Sequence, residues 1–222
     1  MPPIPSKIGI NPSVTFRPPQ VVLMKKPELD AEAFEMLGMV HCALETLEDC
    51  PEFARIIPEV RSNLVYCRRS PTTPLDVLAI DGRITSVDHL PKGAGRPRFG
   101  ASSHMARLII ELHRIDPSIR AGINFSAESD IVRWMERYAR RKRWVFGVID
   151  RAKEPAEVQE AEGASMPWKI AEVVRACGGR APKLFYETGA VGKEPVAVLV
   201  GADPVTVVGE ACELARKYIG GM

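Results

Sequence analysis

The chain has 222 residues, 45% of them hydrophobic and 26% charged, a composition that fits one or two globular domains and excludes disorder as the main state. Its formal net charge is +2, from 30 basic and 28 acidic residues, too balanced to imply a polyanionic partner by itself. No run approaches the roughly 18 consecutive apolar residues of a membrane helix, and Met1-Pro2-Pro3-Ile4-Pro5 lacks the apolar core of a signal peptide.

The first 30 residues hold seven prolines, which remove backbone donors and fix φ. Residues 1–29 therefore read as a proline-rich arm, with Val21-Val22-Leu23-Met24 able to add an edge strand. The arm is too short and too rich in proline for a helix-turn-helix reader of DNA. The folded domain is expected over residues 30–222. A helix is predicted from Asp30, with Phe34, Leu37, Val40, Leu44 and Leu47 on its buried face. A short helix follows over 51–57, opened by Pro51, and then a strand over 63–67.

Arg83 to Val87 and the stretch ending Arg98-Phe99 read as strands flanking a loop at Pro91-Lys92-Gly93-Ala94-Gly95. A helix opens near Ser102-Ser103, with Met105, Leu108, Ile109 and Leu112 on its apolar side. Ala121 to Phe125 is a buried strand, Ile131, Trp134, Met135 and Tyr138 mark a helix, and Arg143 to Ile149 is a further strand. Ile170, Val173, Val174 and Cys177 line a helix ended by Gly178-Gly179. Strands at 184–186 and 196–200 and a last helix through Val205, Val208, Cys212, Ala215 and Ile219 complete the pattern. Strands alternating with helices predict an α/β domain with helices on both faces of a mixed sheet.

The five cysteines (Cys42, Cys50, Cys67, Cys177, Cys212) form no Cys-x-x-Cys pair. The four histidines (His41, His89, His104, His113) make no His-x-x-x-His spacing. A zinc site is not expected, and reduced thiols in a cytoplasmic protein are.

Four local features carry candidate chemistry. Phe99-Gly100-Ala101-Ser102-Ser103-His104 stands at a strand-to-helix junction, where unpaired N–H groups and the helix dipole favour a phosphate. Its plain alternative is a serine cap. Thr188-Gly189-Ala190-Val191-Gly192-Lys193-Glu194 could cradle a second anion or be a hairpin turn; it is not a Walker A loop, since no Ser or Thr follows the lysine. Gly93-Ala94-Gly95-Arg96-Pro97-Arg98 lacks the third glycine of a dinucleotide fingerprint and reads as a loop. Arg137, Arg140, Arg141, Lys142 and Arg143, with Trp144, could touch nucleic acid, but cations at a helix C-terminus are favoured by its dipole alone. No nucleic-acid or membrane partner is expected. Asn124 and Asp150-Arg151 at predicted strands are candidate substrate contacts, or turn-forming and capping groups.

Several segments together resemble the ThiN family, the archaeal-type thiamine-phosphate synthases. They are Pro51-Glu52-Phe53-Ala54-Arg55-Ile56-Ile57-Pro58-Glu59-Val60, Ser62-Asn63-Leu64-Val65-Tyr66, Asp81-Gly82-Arg83-Ile84, Gly100-Ala101-Ser102-Ser103-His104, Asp116-Pro117-Ser118-Ile119-Arg120-Ala121 and Gly189-Ala190-Val191-Gly192-Lys193-Glu194-Pro195. The resemblance runs in colinear order from about residue 30 to the end.

It implies condensation of hydroxymethylpyrimidine diphosphate with hydroxyethylthiazole phosphate, giving thiamine phosphate and pyrophosphate. It also implies a three-layer α/β/α sandwich akin to class II sugar-phosphate aldolases. By motif position Arg83 and His104 are the residues associated with activity. On this reading Ser102 and Ser103 complete a diphosphate cradle with the helix start. Lys193 and the loop from Gly189 to Gly192 hold the thiazole phosphate or share the diphosphate, the two assignments being interchangeable, and Glu194 is an expected substrate contact beside them. Asn63, Asn124, Asp150 and Arg151 are further expected substrate contacts. Mg²⁺ is the expected cofactor, with Asp150, Glu187 and Glu194 as candidate carboxylates and no ligand assigned. The same domain also serves as a ligand-binding sensor, which is the competing class, and a homodimer is an expectation.

Overall fold

Asp30 caps the first helix, α1 (Ala31–Glu48), by accepting a hydrogen bond from the Ala33 N–H at 2.8 Å. A computed structural model of the chain describes residues 29–161, 163–189, 192 and 194–221. The predicted arm, apart from Leu29, lies outside the described residues, and so does Lys193. Helix α1 is turned relative to the sequence expectation. Its buried stripe is Ala33, Met36, Val40, Ala43 and Leu47, and Phe34 is 62% exposed. Small alanines let the helix lie against α7 (Pro204–Ile219), and ion pairs from Glu32 to Arg68 and Arg120 hold that rotation.

The remaining helices are α2 (Pro51–Ala54), α3 (His104–Ile115), α4 (Ser129–Lys142), α5 (Ala156–Glu160) and α6 (Ser165–Ala176). The strands are β1 (Leu64–Cys67), β2 (Val77–Ile80), β3 (Ile84–Val87), β4 (Leu90–Gly93), β5 (Pro97–Phe99), β6 (Ala121–Ser126), β7 (Phe146–Ile149), β8 (Leu184–Glu187) and β9 (Val196–Gly201). Seven of them form one sheet in the order β5-β2-β1-β6-β9-β8-β7. Every neighbouring pair is antiparallel except β7 and β8, so the sheet is mixed.

Three local expectations fail for identifiable reasons. Strand β2 went unpredicted because Val77-Leu78-Ala79-Ile80 is buried on both faces and so shows no alternation. Pro91, Lys92 and Gly93 belong to β4, which forms a two-stranded hairpin with β3 rather than a loop. Proline is tolerated there because a two-stranded hairpin has only edges. Arg143 is the left-handed cap of α4, with φ +58°, and the strand begins only at Phe146.

The pleat sends alternate side chains to two cores. Leu64, Tyr66, Leu78, Ile80, Ile123, Phe125, Ala197 and Leu199 face one side, where α1, α2, α4 and α7 pack and Phe53 meets Phe125 edge-on at 6.4 Å. Val65, Cys67, Val77, Ala79, Phe185, Val198 and Val200 face the other, covered by α3 and α6. The result is three layers, α/β/α. The basic end of α4 is tied into the first side: Lys142 pairs with Glu213 at 2.8 Å, Arg140 with Glu136 at 3.3 Å, and Trp144 meets the Tyr138 ring at 5.6 Å.

The strand directions bring the C-terminal ends of β2, β6, β7 and β8 and the N-terminal ends of β1 and β9 to one end of the sheet. On the α3/α6 side of that end lie Arg83 and His104.

Candidate active site

A crevice of about 330 Å³ opens at this end, between the sheet and helices α3 and α6. Its inner wall is apolar: Ile149 of β7, Phe185 of β8 and Val198 of β9 face Met105 and Leu108 of α3 and Met166 of α6. Its mouth is basic, with exposed Arg61, Arg83 and His104 on the lining, and Arg151 and the buried Lys169 also line it. An adjoining outer chamber of about 470 Å³ shares Arg83, Ser102, His104, Arg151 and Lys169, and adds Ser103 and Arg107.

Two of the arginines owe their place to unusual backbone. Arg61 has φ +68° and Arg83 has φ +70°, the left-handed region that costs a residue with a Cβ about 1 kcal/mol or more. They brace one another. The Arg83 guanidinium donates to the Val60 carbonyl, and that of Arg61 donates to the Gly82 carbonyl at 3.3 Å. Each therefore grips the peptide preceding the other, and neither has a carboxylate partner among the described residues.

The buried asparagines support this brace. Asn63 uses its carboxamide on the backbone of Ile80, accepting from N–H at 3.0 Å and donating to C=O at 3.2 Å. Asn124 accepts from the Asn63 N–H at 2.7 Å and donates to the Arg61 carbonyl at 3.2 Å. Both line the crevice, and these bonds tie the Ile80 backbone and the Arg61 carbonyl to the two carboxamides. Glu194 behaves likewise: its carboxylate accepts from the Glu59 and Val60 N–H groups at 3.1 and 2.5 Å.

His104 is the first residue of α3, and no side chain caps that helix. The serine-cap alternative is thus not used, and Ser102 and Ser103 face the chambers instead. Although His104 has exposed surface at the mouth, crowding by protein atoms lowers its pKa from the usual imidazole value. The Lys169, Arg151 and Arg83 charges lower it further, against an upward pull from Glu187.

Glu187, at the end of β8, ties two cations together. Its Oε1 accepts from Lys169 Nζ at 2.5 Å and from Arg151 at 2.7 Å, and Glu154 stands 3.8 Å from the other side of Arg151. Lys169 is only 3% exposed. It went unnoticed in the sequence, although a lysine in the Met166, Lys169, Ile170, Val173 spacing stands on a helix's buried stripe and signals a polar partner inside.

Other expected residues sit elsewhere. Asp150 lines neither chamber; it accepts from the Ala152 N–H at 3.1 Å and caps the short turn carrying Arg151. Gly189 is exposed and off the lining, whereas Gly192, with φ +71°, lines the crevice. Lys193 is outside the described residues. Among the described residues no group of three or more His, Cys, Asp or Glu side chains gathers that could hold a metal ion.

The family model described as thiamine-phosphate synthase ThiN matches residues 39–213. The chain belongs to this family. The thiamine-phosphate synthase ThiN of Methanothermobacter thermautotrophicus is 40% identical over 179 residues, covering 81% of this chain and 92% of that protein. The bifunctional thiamine biosynthesis protein ThiDN of Methanocaldococcus jannaschii is 30% identical over 166 residues, 73% of this chain and 37% of its own length. The chain thus spans a little over a third of that longer relative. The crystal structure of a C-terminal domain of phosphomethylpyrimidine kinase superposes with a TM-score of 0.78 at 30% identity, covering 82% of this chain and all of that domain. Within the ThiN framework, the two motif residues Arg83 and His104, distant in sequence, meet at one crevice. Among the described residues, no helix is long and apolar enough to cross a membrane.

Proposed function

We propose that this ThiN-family protein joins hydroxymethylpyrimidine diphosphate to hydroxyethylthiazole phosphate, forming thiamine phosphate and pyrophosphate. The observation that carries the reading is the convergence of Arg61, Arg83 and His104 on a crevice that is also lined by the apolar Ile149, Phe185 and Val198. In the reaction, the thiazole nitrogen forms a bond to the pyrimidine's methylene carbon as the carbon–oxygen bond to diphosphate breaks. Negative charge grows on the departing oxygens. Arg83 is braced before substrate arrives, so its charge stabilises that oxygen without reorganisation. His104 donates a hydrogen bond from a neutral ring and becomes cationic more readily once the dianion is beside it. The two chambers hold the two substrates in line, which supplies the proximity contribution.

Mg²⁺ would enter as the diphosphate's counter-ion, held by phosphate oxygens and water, and would neutralise part of the charge on the leaving group. We assign the scaffold to the class II aldolase type and the protein to the cytoplasm. The α/β/α layering supports the first, and the described cysteines, all unpaired, support the second. Incubating the protein with both phosphorylated precursors and Mg²⁺ should release thiamine phosphate and pyrophosphate in equal amounts. Tight binding of thiamine phosphate without turnover would overturn the enzyme in favour of a sensor.

A further inference from the structure

The Lys169–Glu187 pair lies between the apolar inner wall and the basic mouth. Its hydrogen-bonding capacity is only partly used. Glu187 Oε1 is taken by Lys169 and Arg151, but Oε2 accepts from no group among the described residues and is not sealed from the crevice. Lys169 Nζ has three donors, and Glu187 is its one partner among the described residues. Among the described residues the crevice therefore presents one free acceptor and one free donor, on side chains that share its lining with Phe185 and Met166. A diphosphate is acceptor-only and would be repelled by a carboxylate.

We propose that Lys169 and Glu187 read the edge of the 4-aminopyrimidine ring. Glu187 Oε2 accepts from the exocyclic amino group, Lys169 Nζ donates to the neighbouring ring nitrogen, and the ring's faces lie on the apolar wall. An exocyclic N–H beside a ring nitrogen is the mirror of the acceptor–donor pair the protein offers. The diphosphate then projects outward to Arg83 and His104. This assignment rests on the synthase reading and decides which substrate occupies the inner chamber. Neutralisation by Glu187 also explains how a lysine only 3% exposed is held in an apolar setting.

Two probes separate the halves of the substrate: the free 4-amino-5-hydroxymethylpyrimidine, which lacks phosphate, and inorganic pyrophosphate. Binding of each is measured by calorimetry, with and without Mg²⁺, to the wild-type protein and to Glu187→Met. The variant should lose at least about 10-fold in affinity for the pyrimidine, the worth of a hydrogen bond to a charged group. Its pyrophosphate affinity should stay the same or rise, which also certifies that it is folded. Wild type should prefer the 4-amino compound over its 4-methyl analogue by a similar factor, and the variant should not discriminate. Unchanged pyrimidine binding in Glu187→Met, no discrimination by wild type, or loss of pyrophosphate binding instead would each overturn the proposal, the last by making Glu187 a diphosphate or metal group. The synthase reading fails separately, if wild type makes no thiamine phosphate from the two precursors.

Discussion

Arg120, entering β6, and Arg83, just beyond β2, lie at opposite ends of the same sheet, and the fold treats them oppositely. Arg120 is 17% exposed at its side chain, donates twice to the Cys67 carbonyl, pairs with Glu32 at 3.1 Å and lies over the Tyr66 ring at 4.7 Å. Nearby Arg68 is closed off by Asp30 and Glu32. Both of these arginines have an acid answering them, and they fasten α1 to the sheet. Arg83, Arg61 and Arg107 are exposed and have no carboxylate partner among the described residues, and two of them carry backbone strain. An arginine answered within the protein holds structure; one held by backbone alone keeps its charge for an incoming anion.

The contrast breaks most clearly in substitution kinetics. Arg83→Ala and His104→Ala should each lower kcat/KM by about 10²-fold or more, with melting temperatures close to wild type, because the groups act on charge that develops during reaction. A drop in stability matching the drop in rate would place these residues with Arg120 instead. Arg120→Met should do the reverse. It removes hydrogen bonds to charged groups at a half-buried site and should cost about 2 kcal/mol in urea unfolding, with kcat/KM unchanged.

The smallest effect concerns protons. The pKa of His104 is lowered in the folded protein, so between that value and about 6.5 the unfolded chain binds more protons. Stability attributable to this histidine is intact above about pH 6.5 and falls as the pH drops toward the folded value. His104→Asn should accordingly lose less melting temperature than wild type between about pH 7.5 and about pH 5. An equal loss would mean that the imidazole is not held neutral at the mouth.

Much of the site was readable in the chain. The Ser102-Ser103-His104 junction points to an anion because a helix start leaves N–H groups unspent, whereas Arg83 enters only through the resemblance of Asp81-Gly82-Arg83-Ile84 to the ThiN family. Lys169 was hidden because a lysine in a helix reads as surface until its partner, Glu187, is found 18 residues away. Asn63 and Asn124 were legible as polar residues at strands, yet not as braces, since that role exists only when β1, β2 and β6 are side by side. Phe34 shows the same limit: apolar spacing placed it inward, and close packing of Ala33 and Ala43 turned it out.

Local chemistry, then, lies in the order of residues: alternation of helix and strand, the caps, the glycines that permit tight turns, and the motifs that mark ThiN membership. The tertiary structure alone decided which polar groups are used up and which stay available. That outcome depends on partners brought together from distant segments, and pairing, unlike periodicity, leaves no trace in a single stretch of chain.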